Sequence, residues 1–590
     1  MARTRKTGIA ALFAVAALAL SGCTGTFGEA AEPTGDDLYG GTLNVASMGD
    51  VDALDPLIAY TTEAWQVIRA TTRQLITYSG SSEGIGNDTE IVPDLAESWD
   101  VSDDGLTYTF HLREGIHFSG ATDREITAND FVYAIKRFPD PNANVSAITY
   151  YNNLFEGFEE YADKFAEVPV GDLGAVQEFH AENEISGVTA LDDHTLELKL
   201  TKKSNDLLDI LTLNFISPLP EEIVENYFAD SLEFRQNYVS SGPYYISNYQ
   251  PDQLLELTRV DGYDSAAVGD PRPAYADVIS IDTTADSADA VAQKIQTGEA
   301  DASLYVRAFP AQVIETYQNT QPENLHTSAS GSAVFMSWNN SGDPQTEAQE
   351  ALTDLTVRQS VNYAIDRGDL VRGLGGETAA IPSTEILTST ILGYNDENPY
   401  PTEGDRGDTE QAAALLQESG HEGLTLSIAY RSEAEYEKMA TSIQASLEAA
   451  GYSVNLVPIT GGFGGMSAFL SDPANGSQWD LAITTWSPDW QGNSASMTLG
   501  GWLNSDIAPG GTWNGVTYDN PELNEITQQA IGAEDPTDLW QQANALASED
   551  LAWFPLVERV KTIPTTPQVA NWTWSSLGNG PDFTSLSVQG

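Results

Sequence analysis

The chain has 590 residues, 41% of them hydrophobic, which is enough apolar sequence for several domain-sized cores. It contains 26 lysines and arginines against 87 aspartates and glutamates, and the formal net charge is -61. This balance excludes nucleic acid as a partner, because phosphate binding needs a basic face. The acidic residues are spread along the whole chain, which is typical of a solubilising surface.

The N-terminal segment has the pattern of an export signal. Three basic residues precede an apolar run at residues 9–20, which is too short to span a bilayer comfortably. The run ends in LSGC, and Cys23 is the only cysteine in the chain. LSGC resembles a bacterial lipobox, in which the signal is cut before the cysteine and the thiol receives a diacylglycerol. We expect residues 1–22 to be a lipoprotein signal peptide; the alternative is an ordinary signal peptide with a chance cysteine.

The next part of the chain contains predicted scaffold elements. Residues 23–39 are small, polar and acidic, which indicates a flexible tether, and a Gly-led strand begins at Gly40. Two alternating runs around Asp-Asp-Gly at residues 97–112 predict a β-hairpin. Thr127, with Asp130 three residues later, predicts the N-terminal cap of a helix.

A strand, a helix and a second strand are predicted between residues 424 and 459. The first strand covers 424–430 and the helix about 432–450, a spacing typical of a βαβ unit with parallel strands. A later strand is predicted at 479–486. Ligands of open α/β sheets lie beyond the carboxyl ends of the strands. Arg431 and Asp489 each follow one of these strands, so parallel pairing would place both charges on one rim.

The sequence lacks the patterns of metal, cofactor or phosphate chemistry. The six histidines are scattered, and no pair has the i, i+4 spacing of a zinc-binding helix. There is no GK[ST] motif, and we interpret GGFGG (461–465) as a mobile loop. We expect no metal site and no cofactor. A secreted hydrolase using two carboxylates is the alternative from another class.

Several separated stretches resemble one family of binding proteins. Their sequences are PDLAESWDVSDDGLTYTFHLREGIHFSG (from Pro93), TANDFVYAIKR (from Thr127), SGPYYISNYQPDQLLEL (from Ser241), QKIQTGEAD (from Gln293), VRQSVNYAIDRGDLV (from Val357), GVTYDNPELNEI and ALASEDLAWFPLVERV. By these stretches the chain from about Gly40 onward resembles solute-binding family 5. That family comprises the dipeptide-, oligopeptide- and nickel-binding proteins of ABC importers.

The resemblance implies an α/β fold of the periplasmic-binding-protein type, class II, with an extra small inserted domain. Two lobes of such a fold close on the ligand like a Venus flytrap, and the closed form docks on a membrane permease. We expect the first lobe at residues 40–78, 185–282 and 546–590. The inserted domain is expected at 79–184 and the second lobe at 283–545.

The resemblance also assigns a ligand-binding motif. Peptide binders of this family carry W-x-x-D-Y/W in the second lobe, and WSPDW at 486–490 matches it. The match implies that Asp489 grips the peptide's α-ammonium, that Trp486 and Trp490 wall the pocket, and that Ser487 offers backbone groups. A carboxylate and indole faces suit a cation. The alternative is that Asp489 caps a turn and the tryptophans belong to the core.

Arg431 is a further candidate. In dipeptide-specific members an arginine after the equivalent strand clamps the peptide's carboxylate, a task that suits the guanidinium fork. The alternative for Arg431 is a surface ion pair with Glu433 or Glu435. The residues that loosely match ligand-contact positions of the first lobe are Tyr60, Thr61 and Thr62.

Together these patterns predict a non-enzymatic, extracytoplasmic substrate-binding lipoprotein of an ABC importer that captures di- or oligopeptides. We expect a monomer on the outer face of the cytoplasmic membrane, lipid-anchored through Cys23. Its expected partners are the peptide ligand and the ABC permease in that membrane. A binder of an oligosaccharide or a metal chelate on the same fold is the alternative.

Cys23→Ser should release the protein into the medium, because the two acyl chains of a diacylated cysteine anchor stably and no other anchor is predicted. The measurement is an immunoblot of the medium and of the membrane fraction. Ser21→Ala leaves the thiol in place and serves as the control that stays with the membrane. Retention of Cys23→Ser in the membrane fraction, unprocessed, would instead identify the apolar run as the anchor.

Overall fold

The computed structural model describes residues 38–589, apart from residues 144, 153, 341–342 and 507–517. The predicted signal peptide and Cys23 therefore lie outside the described residues, as does most of the predicted tether. No helix in the described part of the chain is both long enough and apolar enough to cross a membrane.

The strands are numbered along the chain. They are β1 (Thr42–Ala46), β2 (Ile76–Tyr78), β3 (Ile91–Pro93), β4 (Ala96–Val101), β5 (Thr107–Leu112), β6 (Ser119–Gly120), β7 (Val188–Asp192), β8 (Thr195–Lys199), β9 (Val239–Ser240), β10 (Tyr244–Gln250), β11 (Leu254–Arg259), β12 (Val278–Asp282), β13 (Ala302–Ser303), β14 (Leu325–Trp338), β15 (Ala380–Pro382), β16 (Thr425–Arg431), β17 (Ser453–Ile459), β18 (Leu481–Trp486), β19 (Phe554–Pro564), β20 (Val569–Ala570), β21 (Trp574–Ser575), β22 (Gly580–Pro581) and β23 (Ser587–Val588).

The helices are numbered in the same way. They are α1 (Thr62–Thr71), α2 (Ala128–Lys136), α3 (Ile148–Tyr151), α4 (Phe158–Phe165), α5 (Leu173–Glu182), α6 (Leu207–Leu211), α7 (Glu221–Val224), α8 (Leu232–Gln236), α9 (Ser265–Val268), α10 (Ala288–Thr297), α11 (Ala311–Thr320), α12 (Glu347–Ala351), α13 (Leu355–Ala364), α14 (Arg367–Leu374), α15 (Thr409–Ser419), α16 (Ala434–Ala449), α17 (Gly462–Ser471), α18 (Pro521–Gly532) and α19 (Thr537–Glu549).

A five-stranded sheet in the order β10-β11-β12-β1-β13 forms the first lobe. β1 runs parallel to β12 and β13, whereas β10, β11 and β12 are antiparallel neighbours. Leu43 and Val45 of β1 are buried and alternate with exposed residues, because alternate side chains point to opposite faces of a strand. The order joins the N-terminal strand to strands far along the chain, so this sheet depends on long-range pairing.

A six-stranded sheet in the order β15-β19-β14-β18-β16-β17 forms the second lobe. β16 runs parallel to β17 and to β18, which confirms the predicted strand–helix–strand unit and the later strand. The intervening helix is α16, whose Met439, Ile443 and Leu447 are buried. β14 pairs antiparallel with β18 on one side and with β19 on the other. The carboxyl ends of β16 and β18 therefore share one rim.

A four-stranded antiparallel sheet in the order β4-β5-β8-β7 forms a third, smaller unit, the inserted unit. The predicted hairpin is confirmed, since β4 and β5 pair with Trp99 opposite Phe110. The predicted helix cap is also confirmed, because the Thr127 backbone N–H donates to Asp130 over 2.7 Å. Phe110 and Phe131 are fully buried in the core that this sheet shares with α2.

Three segments lie in different sheets from those predicted. β7 and β8 extend the sheet of β5, although residues 185–282 are predicted in the first lobe. β13 pairs with β1, although residues 283–545 are predicted in the second lobe. β19 pairs with β14, although residues 546–590 are predicted in the first lobe. Hydrogen bonds between distant strands decide these placements, and local periodicity does not encode them.

The prediction of a loop at GGFGG is wrong, because α17 begins at Gly462. Gly461 precedes the helix in the left-handed region, with φ of +91°. Met466 and Leu470 are buried together with Trp479 in a small core cluster. This apolar pair, four residues apart, stabilises a helix that its glycines alone would disfavour.

A buried ion network lies where the first lobe continues into the inserted unit. Asp94 pairs with Arg73 at 2.6 Å and with Arg272 at 3.4 Å, and Arg272 pairs with Asp270 at 2.7 Å. The four side chains are at most 1% exposed, so each charge depends on its partners rather than on water.

Asp94→Ala should lower the free energy of unfolding by about 3–5 kcal/mol, because it leaves two buried arginines with Asp270 as their one remaining carboxylate partner in the network. Urea denaturation followed by circular dichroism measures the change. The control is Asp100→Ala, whose carboxylate is 82% exposed beside His111 and should contribute less than about 1 kcal/mol. Equal losses in the two variants would mean that the network does not stabilise the fold.

Candidate functional site

A cavity of about 1060 Å³ opens at the rim where β16 and β18 end. Its walls come from β14, β16, β18 and β19, from the segment after β13, and from the start of α1. The volume is at the upper end of the range for small-molecule pockets. The candidate residues that line it are Tyr60, Thr62, Arg431, Trp486, Ser487 and Asp489. Thr61 and Trp490 are not among its lining residues.

The segment that follows β18 stays in contact with β14, and this contact brings Asp489 to the cavity. The Ser487 hydroxyl lies 2.7 Å from that of Ser332 on β14. Gly331, next to Ser332, has φ of +70°, and a Cβ there would lie 3.3 Å from Pro488 Cγ and 2.3 Å from Thr390 Oγ1. Only glycine fits this approach. β14 is irregular here, and Pro488 packs closely before the half-buried Asp489.

Two tyrosine hydroxyls hold the Asp489 carboxylate. Tyr60 donates to Oδ2 over 3.0 Å, and Tyr150 donates to the same oxygen. The two hydroxyl oxygens lie 3.0 Å apart. Tyr60 precedes α1 of the first lobe and Tyr150 lies on α3 of the inserted unit. One carboxylate of the second lobe therefore joins three units of the fold.

Burial controls the protonation of this group. It raises the pKa of Asp489 above its ordinary value, and the hydrogen bonds from Tyr150 and Tyr60 lower that pKa in part. Burial and the nearby carboxylate raise the pKa of Tyr60 and of Tyr150, so both stay protonated and able to donate near neutral pH. A cation beside Asp489 would favour its ionised form.

The two tryptophans beside Asp489 have different surroundings. Trp486 lines the cavity, and its ring centroid lies 4.6 Å from that of Trp502. Trp490 is 1% exposed and packs edge-on against Tyr150, with centroids 5.4 Å apart. Because it belongs to the core around the inserted unit, Trp490 supports Tyr150 and does not wall the cavity as predicted.

An aromatic cluster forms the first-lobe wall. The Tyr60 ring lies 6.0 Å from Trp65, which also lines the cavity, and 6.1 Å from Phe215. Sequence analysis did not select Trp65 as a site residue, because its position in the periodic pattern of α1 is that of an ordinary core residue. Thr61 is the N-cap of α1, and its hydroxyl donates to Asp52 over 2.7 Å. Its observed contacts are those of a helix cap.

Arg431 ends β16 and is 5% exposed. Its guanidinium carbon lies 3.9 Å from the ring centroid of Tyr436, and its Nε lies 3.7 Å from Glu433. The ion pair considered as the alternative is therefore present, although Arg431 also lines the cavity. A ligand carboxylate at Arg431 would have to compete with Glu433.

Four basic residues that line the cavity were missed by sequence analysis, and one of them is the exposed Lys438 on α16. Arg307 follows β13, and Arg559 and Lys561 lie on β19. Arg559 pairs with Glu435 on α16. The only local signal was the spacing of Arg559 and Lys561, two apart and so on one face of a strand. Nothing local showed that β19 pairs with β14 and so reaches this site.

The cavity is equipped for binding a ligand with separated charges. It combines the half-buried carboxylate of Asp489, aromatic rings and several cations. The described residues contain no group of three or more His, Cys, Asp or Glu side chains placed to hold a metal ion.

Residues 90–505 match the model of the bacterial extracellular solute-binding proteins, family 5 Middle. Heme-binding protein A of Haemophilus influenzae is 28% identical over 544 residues, covering 87% of this chain and 88% of the relative. The dipeptide-binding protein of Escherichia coli is 28% identical over 345 residues, covering 57% of this chain and 56% of the relative.

A solved structure supports the fold assignment. The clavulanic acid biosynthesis oligopeptide binding protein 2 matches with a TM-score of 0.80 and 24% identity, covering 95% of this chain and 97% of that chain. This likeness confirms the predicted two-lobed α/β fold class.

Asp489→Asn should reveal the raised pKa of Asp489 through stability. Because the folded state holds the carboxyl proton more tightly than the unfolded chain, wild-type stability relative to the variant falls as pH rises above about 4. The difference levels off once the carboxylate is ionised in both states. Urea unfolding of both proteins between about pH 3 and pH 7 measures it.

Asp104→Asn is the control with the opposite sign. A hydrogen bond from Ser102 lowers the pKa of Asp104, so wild-type stability relative to this variant rises as pH rises toward about 4. If the Asp489→Asn difference is independent of pH, or follows the slope of the control, burial does not raise the pKa of Asp489.

Proposed function

We propose, from the premise that this chain belongs to family 5 of the bacterial extracellular solute-binding proteins, that it captures peptides for an ABC importer. In this proposal di- or oligopeptides bind between the two lobes on the extracytoplasmic side and pass to a membrane permease. The observation that carries the proposal is Asp489, a half-buried carboxylate in the cavity beside Trp486. The family consists of solute-binding proteins, so the proposal includes no catalytic step.

The free oxygen of Asp489 suits a peptide α-ammonium. Oδ2 accepts the two tyrosine hydrogen bonds, whereas Oδ1 accepts none from the described residues. An ammonium at Oδ1 would make a charge-assisted hydrogen bond and offset the burial that raises the pKa of Asp489. Trp486 adds an aromatic surface next to the cation.

The tyrosines link this recognition to closure of the lobes. Tyr60 and Tyr150 reach Asp489 from the first lobe and the inserted unit. A ligand that contacts several units at once binds the closed arrangement more tightly than an open one. That differential affinity is what shifts the population toward the closed form.

Arg431 is the proposed partner of the peptide's terminal carboxylate. β16 and β18 are neighbours in the sheet, so their backbones lie roughly 5 Å apart. A short peptide with its ammonium at Asp489 therefore reaches Arg431, where its carboxylate replaces Glu433. Thr62 and Ser487, which also line the cavity, are proposed polar contacts.

A metal chelate such as heme is a second candidate, favoured by the match to heme-binding protein A over 544 residues. A flat chelate would stack on Trp65 or Trp486, and its carboxylates would meet Arg307 or Arg559. Titration of the protein with heme, followed by visible absorbance, separates this ligand class from peptides.

Anchoring through Cys23 is also part of the proposal, although that residue lies outside the described part of the chain. Its support is the sequence LSGC after an apolar run. The tether would hold the binding protein at the outer face of the cytoplasmic membrane, beside its permease.

Asp489→Ala should weaken peptide binding by roughly 30-fold to several-thousand-fold, because truncating one partner of a buried charge pair costs about 2–5 kcal/mol. Titration calorimetry with free and N-acetylated di- to pentapeptides measures it. Acetylation should cause a similar loss in the wild type and little further loss in the variant, since both changes remove the same pair.

Asp104→Ala, which removes an exposed carboxylate outside the cavity, is the control and should bind like the wild type. If the wild type binds free and acetylated peptides equally, Asp489 is not the ammonium anchor. If heme binds and no peptide does, the second candidate replaces the first.

A further inference from the structure

The cavity reverses the charge balance of the protein. The whole chain has 26 Lys and Arg residues against 87 Asp and Glu residues. The residues that line the cavity include five Lys and Arg residues against three Asp and Glu residues, one of which is Asp489. A chain with so few cations has concentrated a fifth of them around one cavity, which points to an anionic group on the ligand.

Most of these cations already have a carboxylate partner. Glu433 lies 3.4 Å from Arg307 and 3.7 Å from Arg431, so two guanidiniums share it. Glu435 pairs with Arg559. Lys438 and Glu315, which also line the cavity, are exposed and opposite in sign. Water screens such exposed charges, so they contribute little to the balance inside the cavity.

Lys561 has no carboxylate partner among the described residues, unlike the three arginines, and it is half-buried, unlike the exposed Lys438. Its ammonium nitrogen lies 3.5 Å from the ring centroid of Tyr305. Burial lowers the pKa of Lys561 to about 7, with Arg307 and Arg559 acting in the same direction and Glu63 opposing them. The Lys561 ammonium therefore lies against an aromatic face inside the cavity. A ligand carboxylate beside it would raise its pKa and so favour the protonated form.

The charged groups that act on Lys561 come from three elements, and none of them forms an ion pair with it among the described residues. Glu63 comes from α1, Arg307 from the segment after β13, and Arg559 from β19 itself. Glu435 from α16 is engaged by Arg559. Glu63 raises the pKa of Lys561 without coming within ion-pair distance. It therefore offsets part of the positive charge around Lys561 but does not take the place of a ligand carboxylate.

The strand order separates Lys561 from Arg431. Asp489 follows β18, Arg431 ends the neighbouring β16, and Lys561 lies on β19, which is two strands away on the other side. The backbones of β18 and β19 are therefore roughly 10 Å apart, with β14 between them. A short peptide anchored at Asp489 sends its single terminal carboxylate toward one of these cations. The other cation is left for a second anionic group.

We propose that Lys561, stacked on Tyr305 beside Arg559, binds a side-chain carboxylate, so that the protein prefers peptides containing glutamate or aspartate. The proposal rests on the proposed function, since it assigns the substrate class of the same cavity. Lys561 is a binding residue in this scheme, and no covalent step is involved.

The test is titration calorimetry with the tripeptides Ala-Glu-Ala, Ala-Gln-Ala, Ala-Ala-Glu, Ala-Ala-Gln and Ala-Ala-Ala. Of the two glutamate peptides, the one with the higher affinity at pH 6 should bind on the order of 10-fold or more tightly than the peptide with glutamine at the same position. A difference of this size is typical of a desolvated charge pair. Lys561→Met should remove that preference and leave the affinity for the glutamine peptide nearly unchanged. Lys294→Met, which removes a lysine paired with Asp282 outside the cavity, should keep the preference.

A wild-type measurement covers the case in which Lys561→Met does not fold. Because Lys561 has a pKa of about 7, its protonated fraction falls as pH rises, and the glutamate preference should shrink between about pH 6 and pH 8.5. At about pH 8 binding of the glutamate peptide should take up protons, seen as a dependence of the enthalpy on the buffer's ionisation enthalpy. The glutamine peptide should show much less uptake.

The outcomes separate the two proposals. If the peptides bind but glutamate and glutamine isosteres bind equally at pH 6, the acidic preference is wrong and the peptide function stands. If the preference persists in Lys561→Met or does not change with pH, another cation binds the side chain. If no peptide binds, the proposed function fails and this inference fails with it.

Discussion

The site depends on one constraint, which is that β14 pairs with β18 along one edge and with β19 along the other. β18 delivers Asp489, and β19 delivers Arg559 and Lys561. β14 is irregular around Gly331, and the neighbouring Ser330 and Ser332 line the cavity. A carboxylate and a set of cations are thus held on opposite sides of a single strand. Sheet geometry sets the spacing of β18 and β19, and Asp489 lies on the short segment that follows β18.

The parts of the fold that follow local rules were predictable. The hairpin at Asp-Asp-Gly, the Thr127 cap and the unit formed by β16, α16 and β17 all depend on periodicity and turn residues within short windows. The placement of Arg431 and Asp489 on one rim followed from the rule for the ends of parallel strands. Both residues line the same cavity.

The parts that depend on long-range pairing were not predictable. Tyr150 reaches Asp489 across 339 residues of sequence, and nothing in its neighbourhood distinguishes it from other aromatic residues. Lys561 was missed because its strand joins a sheet built mostly from earlier segments. Trp490 was assigned to the pocket by motif alone, and its burial against Tyr150 became visible only with the inserted unit in place.

If Asp489 binds the ligand as proposed, its junction with Tyr60 and Tyr150 has a consequence for how ligand preference evolves. Tyr150 belongs to α3, a helix of four residues on the inserted unit, whereas the strands that hold Asp489 and Lys561 belong to the second lobe. A substitution at Tyr150 changes what the carboxylate accepts without disturbing either large sheet. Under the proposed function, ligand preference can therefore change through substitutions in the small inserted unit, while the two large sheets keep the residues with which they fold.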